Sequence, residues 1–236
     1  LPLRPDVIVA TGPAMAHLVT LATQSVPLVT QVPDPVSSGY AKSLARPGGN
    51  VTGLSDSVDE TAVKTIEVMK QLVPGIARVA ILSEARPGAM RHAATFERAA
   101  RNAGLEPVML PSNDKQARLD AIGTLAAKGI QAGFWSAIDV HPRMAANAAL
   151  AARVPLFGSD AGWARLGGLA AYYGFEPNPE QRLAAIAAQI LRGTNPGDIP
   201  FQLPQHFRLE LNRKTAAALG IKVSPELLLR ADRVFE

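Results

Sequence analysis

Short apolar runs alternate with longer segments of helical periodicity along most of this chain. Residues 6–10 (DVIVA) form a β-branched run closed by Thr11-Gly12-Pro13, and a helical stretch follows over 14–24. Residues 27–30 read as the next strand. The segment 58–73 sets Val63, Ile66, Val68, Met69 and Leu72 at helical spacing and stops at Pro74-Gly75.

The alternation then repeats. Strands are predicted over 78–82, 105–110, 131–135, 154–157 and 168–173. Helices are predicted over 88–103, closed by Gly104, over 114–128 with Asp114 as N-cap, over 141–152, and over 178–192, ending at Gly193. Residues 160–166 read as a short helical segment. The tail adds a strand over 207–211, a helix over 213–219 stopped by Gly220, and a helical turn or two over 225–230. Strand–helix alternation with short connections demands parallel strands and right-handed crossovers. The fold class is therefore α/β, with a parallel sheet covered on both faces.

One stretch stands apart, residues 32–56 (VPDPVSSGYAKSLARPGGNVTGLSD). Asp34-Pro35 ends an apolar run, and Pro47-Gly48-Gly49 imposes a sharp change of direction after a short amphipathic segment. A small β-type run follows, Val51-Thr52-Gly53-Leu54, and it closes on Ser55-Asp56. Hydroxyls and carboxylates beside rigid turns suit the holding of small polar groups.

Composition narrows the classes. With 236 residues, 47% of them hydrophobic and 19% charged, the chain is globular and fits one long domain or two lobes. The formal charge of +4 is scattered, without a block of like charges, so a nucleic-acid partner is not expected. The chain has no cysteine, which removes thiolate metal sites, thiol nucleophiles and disulfides. That suits an oxidising periplasm, although cytosolic proteins also lack cysteine. No run approaches the ~18 apolar residues of a membrane span. The opening residues 1–6 do not form a signal peptide, so any signal is expected to have been removed or never present.

In an open parallel sheet, ligands bind beyond the carboxyl ends of the strands. That rule selects Thr11, Gly12, Pro13 and Ala14 after the first strand, where glycine permits close approach and free helix N–H groups could take an anion. An ordinary βα turn accounts for the same residues. Asp34 follows the second strand, as a turn former or a ligand contact. Ser55 and Asp56 follow the third, each readable as a helix cap. Glu84, then Ser136 and Asp139, then Ser159 and Asp160 follow later strands. Phe134, Trp135, Tyr172 and Tyr173 lie within strands, where core packing is the plainer reading; Tyr172 is retained as a candidate. Catalytic and metal sites are not expected. The four histidines, His17, His92, His141 and His206, lack metal-pair spacing, and no nucleophile elbow, phosphate loop or dinucleotide fingerprint is present. No cofactor is implied.

The ordered phrases DVIVATG, PLV, DPVSSG, ARPGGNVTGLS, VPLFGSD, GGLAAYYG, ILRGTNPGDIP and LNRKTAAALGI with SPELLLRAD resemble the substrate-binding proteins of bacterial ABC importers. The resemblance spans essentially the whole chain and points to the type I periplasmic-binding-protein fold, whose members include aromatic amino-acid binders. It implies two Rossmann-like lobes joined by three crossings, at 51–55, 168–174 and about 203–207, with a ligand in the cleft between them. The lobes would be 1–54 plus 172–204 and 55–171 plus 205–236. The family's ligand-contacting positions fall on Thr11 to Ala14, Asp34, Ser55-Asp56, Glu84, Asp139 and Asp160. In such binders hydroxyls and helix N-termini hold the carboxylate, and an acidic group holds the ammonium. This chain has Asp139-Val140 where aromatic-amino-acid relatives often carry Asp-Asn, a departure that leaves the identity of its ligand open.

Relatives begin with two further βα units before the DVIVA strand. The N-lobe is thus expected to be incomplete, through truncation, a split gene, or completion by a partner such as a second copy. The function implied is that of an extracytoplasmic receptor, periplasmic or lipid-anchored. It would close by hinge motion on a small polar ligand, an amino acid or related carboxylate, and deliver it to a membrane permease. The alternatives are effector sensing by the same fold in regulation, and a Rossmann-like enzyme.

Overall fold

The computed structural model describes residues 4–56, 58–136 and 141–236. In chain order the elements are β1 (Ile8–Val9), α1 (Pro13–Ala22), β2 (Leu28–Val32), β3 (Val51–Ser55), α2 (Val58–Leu72), β4 (Arg78–Ser83), α3 (Pro87–Asn102), β5 (Glu106–Pro111) and α4 (Lys115–Thr124). There follow β6 (Ala132–Trp135), α5 (Pro142–Ala151), β7 (Leu156–Gly158), β8 (Ala170–Phe175), α6 (Pro179–Leu191), β9 (His206–Asn212), α7 (Arg213–Leu219), α8 (Pro225–Arg230) and β10 (Arg233–Phe235). The chain divides into two units, Leu1–Ser57 with Gly174–His206, and Val58–Tyr173 with Phe207–Glu236.

The first unit holds a parallel sheet ordered β1-β2-β3, continued by a bridge from Leu54 to Gln202. Strand side chains alternate between faces. Val29 and Leu54 therefore meet Leu183, Ile186 and Ile190 of α6 on one side. Leu28, Val32 and Val51 meet Ala16 of α1, Ala41 and Phe201 on the other. Every position of β3 is buried, as a parallel strand covered on both faces requires. Gly53 has φ 148, and a β-carbon there would run into the backbone of Thr30 on β2. Glycine at this position thus has a steric reason. Coverage by α1 is thin. Only Ala16 is buried, while Met15, Leu18 and Leu21 are exposed together with Val9 on the edge strand.

The second unit is built on a sheet ordered β10-β9-β8-β7-β6-β4-β5. All its registered pairs are parallel. Val79 and Ile81 of β4 join a core with Ile66 and Met69 of α2 and with Phe96 of α3. Ala80 and Leu82, between them, are buried on the opposite face. Asp114 caps α4 as predicted, its carboxylate accepting from the N–H groups of Gln116 and Ala117.

Two expectations are corrected. Residues 160–166 form turns rather than a helix, because Gly162 and Gly167 take positive φ at 85° and 112°. The ring of Trp163 lies there against Gly158 and Gly168, neither of which leaves room for a β-carbon. The helix predicted over 114–128 stops at Thr124, and a short 3-10 turn, Ala126–Lys128, closes on Gly129 in the left-handed region. Strand β10, which carries little strand pattern in sequence, forms by pairing with β9.

Candidate functional site

The carboxyl edge of the first sheet gathers the strand-end residues. Gly12 follows β1 with φ 88 and ψ 152, offers no side-chain cap, and is succeeded by Pro13 at the helix start. The first bond of α1 is made by Ala16 N–H to the Gly12 carbonyl. The N–H groups of Ala14 and Met15 therefore open the helix at its positive end. Gly12 N–H donates to the Gln31 carbonyl at 3.1 Å, and the Gln31 side-chain amide donates to Asp56 at 3.1 Å. This one residue of β2 links the ends of all three strands.

Asp56 is partly buried. Desolvation raises the pKa of its carboxyl group, and the Gln31 hydrogen bond offsets this in smaller part. Ser55 is spent on structure: its hydroxyl donates to the Pro33 carbonyl at 3.0 Å. Asp34 accepts from Ser37 N–H at 2.9 Å, and so shapes the turn after β2. Thr11 and Ala14 are exposed beside this edge.

The carboxyl edge of the second sheet gathers another set. Glu84 follows β4, is buried, and forms an ion pair with Arg86. The N–H of Ala85, next along, donates to Asn113 beyond β5 at 3.0 Å. Ser136 follows β6. Its N–H donates to the Leu82 carbonyl at 2.9 Å, and its hydroxyl lies 2.6 Å from His92 Nδ1 on α3. Burial lowers the His92 pKa to about 4, so the ring is neutral at ordinary pH. Asp160 is exposed beyond β7, where its carbonyl accepts from Trp163 N–H. Asp139 lies outside the described residues.

Tyr172 does not join this edge. Its ring packs on the core of the second unit and stacks on Phe207 at 5.7 Å and 11°. Tyr173 hydrogen-bonds the buried Glu210 at 2.8 Å; burial and that carboxylate push its phenol up to about 12. Two residues that sequence reasoning passed over are Gln31 and His92. The first is a long polar residue in an otherwise short-chained, largely apolar strand; the second stands four residues before Phe96 on the packed face of a helix.

Two cavities, about 590 and 440 Å³, open at the opposite edges of the sheets. One is lined by Arg78, Gln131 and Arg153, the other by Pro27, Gly49, Asn50 and Gly197. They lie among the starts of the strands, away from the strand-end carboxylates. Among the described residues no cluster of His, Asp or Glu could hold a metal ion, and no helix is long and apolar enough to cross a membrane.

Residues 3–235 match the family described as ABC transporter substrate binding protein. A tyrosine-binding protein of Clostridioides difficile (strain R20291) is 26% identical over 225 residues, covering 93% of this chain and 64% of that protein. The chain thus spans less than two thirds of the length of this curated relative. The ABC domain from Streptococcus pneumonia, solved in complex with L-Trp, superposes with a TM-score of 0.85 at 22% identity, over 98% of this chain and 79% of that one. A conserved domain protein from Vibrio cholerae gives a TM-score of 0.84 at 25% identity, with coverage of 98% and 79%. The α/β architecture with parallel sheets is that of the type I periplasmic binding proteins. Together with the match along nearly its whole length, this assigns the chain to the family of ABC transporter substrate-binding proteins.

Proposed function

We propose that this chain is the ligand-capturing receptor of an ABC importer, works outside the cytoplasm, and takes a small zwitterion for delivery to a membrane permease. An aromatic amino acid is the first candidate, because the relatives are described with tyrosine and with L-Trp. The observation that carries the reading is Asp56, a partly buried carboxylate at the same sheet edge as the uncapped start of α1. A carboxylate kept from water gains most from an incoming cation, here an ammonium. Free N–H groups at a helix start suit an anion, here a carboxylate. Gln31 holds one oxygen of Asp56. Binding of this kind makes and breaks no covalent bond.

Calorimetric titration with L-tyrosine and L-tryptophan, with glucose as the uncharged control, tests the reading. At 100 times its Kd a bound amino acid adds about 2.7 kcal/mol of stability. Asp56→Asn keeps an acceptor for Gln31 and removes the charge. It is expected to weaken binding at least about tenfold, the effect of losing a charged hydrogen bond. Because desolvation penalises the native carboxylate, the same variant is expected to unfold no earlier than the parent. Equal affinity of parent and variant would reject the role of Asp56, and no response to any amino acid would reject the zwitterion.

A further inference from the structure

We propose that His92 is a positioning residue that fixes the hydroxyl hydrogen of Ser136, so that Ser136 meets a ligand only as an acceptor and favours an ammonium over a carboxylate at that edge. The selectivity part rests on the zwitterion reading given above; the positioning part does not.

The pair arises from two periodicities. Phe134 and Ser136 are two residues apart at the end of β6 and so share one face of the sheet. His92 and Phe96 are four apart on α3 and so share one face of the helix. Packing α3 on the sheet sets Phe96 on Phe134, with centroids 3.6 Å apart and planes 15° from parallel. One helical turn away, His92 reaches Ser136. The imidazole is held edge-on to Phe96 at 5.2 Å and tilted against Phe134 at 6.2 Å. Its orientation is fixed by packing before any ligand arrives.

A neutral imidazole has one N–H and one lone pair. In the proposed arrangement the Ser136 hydroxyl donates to Nδ1 across the 2.6 Å contact, which puts the ring proton on Nε2. Burial that lowers the His92 pKa to about 4 keeps this lone pair available. The Ser136 N–H is already given to the Leu82 carbonyl. With both its hydrogens committed, Ser136 has only oxygen lone pairs to present.

The test uses the full chain in two measurements. Nitrogen-15 NMR of the ligand-free protein at pH 7 is expected to find His92 as the Nε2–H tautomer, with Nδ1 unprotonated and hydrogen-bonded. An Nδ1–H tautomer would overturn the positioning role, whatever the ligand. The second measurement compares tyramine, which has only the ammonium, with 3-(4-hydroxyphenyl)propionate, which has only the carboxylate. The parent is expected to prefer tyramine by about tenfold, the effect of one hydrogen bond to a charged group. In His92→Phe, which keeps the aromatic packing and frees the hydroxyl to rotate, that preference is expected to fall several-fold. Ser136→Ala is expected to lower it to the same degree, with no further change in the double variant. A preference unchanged in His92→Phe would overturn the selectivity. Binding of neither compound, with the Nε2–H tautomer present, would reject the zwitterion reading and leave the positioning role standing.

Discussion

The buried hydroxyl of Thr52 donates to the carbonyl oxygen of Ile199 at 2.7 Å, tying β3 to a segment 147 residues further along the chain. The two strand-like pieces are stitched again next door. Gln202 N–H donates to the Gly53 carbonyl, and Ser55 N–H donates to the Gln202 carbonyl, each at 2.9 Å. Thr52→Val keeps the side-chain shape and strands a buried carbonyl, which costs about 1–3 kcal/mol. The loss is expected as faster hydrogen exchange of the Ser55 and Gln202 amides. Unchanged protection would show that the hydroxyl contributes nothing to holding these segments.

Gly53→Ala is expected to be worse. Residue 53 has φ 148, and its β-carbon would collide with the Thr30 backbone inside a paired strand. Neither strand can yield without breaking the ladder, so the cost is about 3 kcal/mol or more. Denaturant titration of the first unit, followed through the same amides, measures it. A variant as stable as the parent would refute the collision.

Stability is expected to depend on pH through His92. Its folded-state pKa of about 4 lies below the unfolded value of about 6.5. Between the two, the unfolded chain binds more protons than the folded one. The contribution of the neutral ring is complete above about pH 6.5, falls as pH falls through the window, and stops falling near pH 4. A shift of this size amounts to at most about 3–4 kcal/mol. Both tryptophans, Trp135 and Trp163, lie in the same unit as His92 and report its unfolding by fluorescence. The slope between pH 4 and pH 6.5 is expected to flatten in His92→Phe; an equal slope in both proteins would assign it to other groups.

Arg153 is the one non-glycine residue with positive φ among the described residues, at 55°. It closes α5. Its N–H donates to the Leu150 carbonyl, and the next N–H, of Val154, reaches back to Ala149. This closure usually carries glycine at that position. Arg153→Gly is expected to raise stability by about 1 kcal/mol, since the left-handed conformation costs an L-residue roughly that much or more. Urea titration with tryptophan fluorescence reads the midpoint, and a lower midpoint would mean that the arginine side chain outweighs its backbone.

The order of strands and helices was legible in the chain because periodicity is local. The runs 28–32 and 78–83 are largely apolar, and α2 and α3 repeat their apolar positions each turn. Parallel pairing followed from the alternation, and Asp114 announced its own helix. Where the local pattern was thin, as at 160–166 and in β10, long-range contacts decided instead: Trp163 seated against two glycines, and β9 supplying an edge. The candidate site divides in the same way. That polar groups would follow the strands was written in sequence, and so were Thr11 to Ala14, Asp56, Glu84 and Ser136 as the groups to inspect. What each of them does was decided by tertiary structure. Gln31 reaches Asp56 from 25 residues away, and His92 reaches Ser136 from 44. A hydrogen bond depends on a few tenths of an ångström and one direction, and only the packed chain sets both.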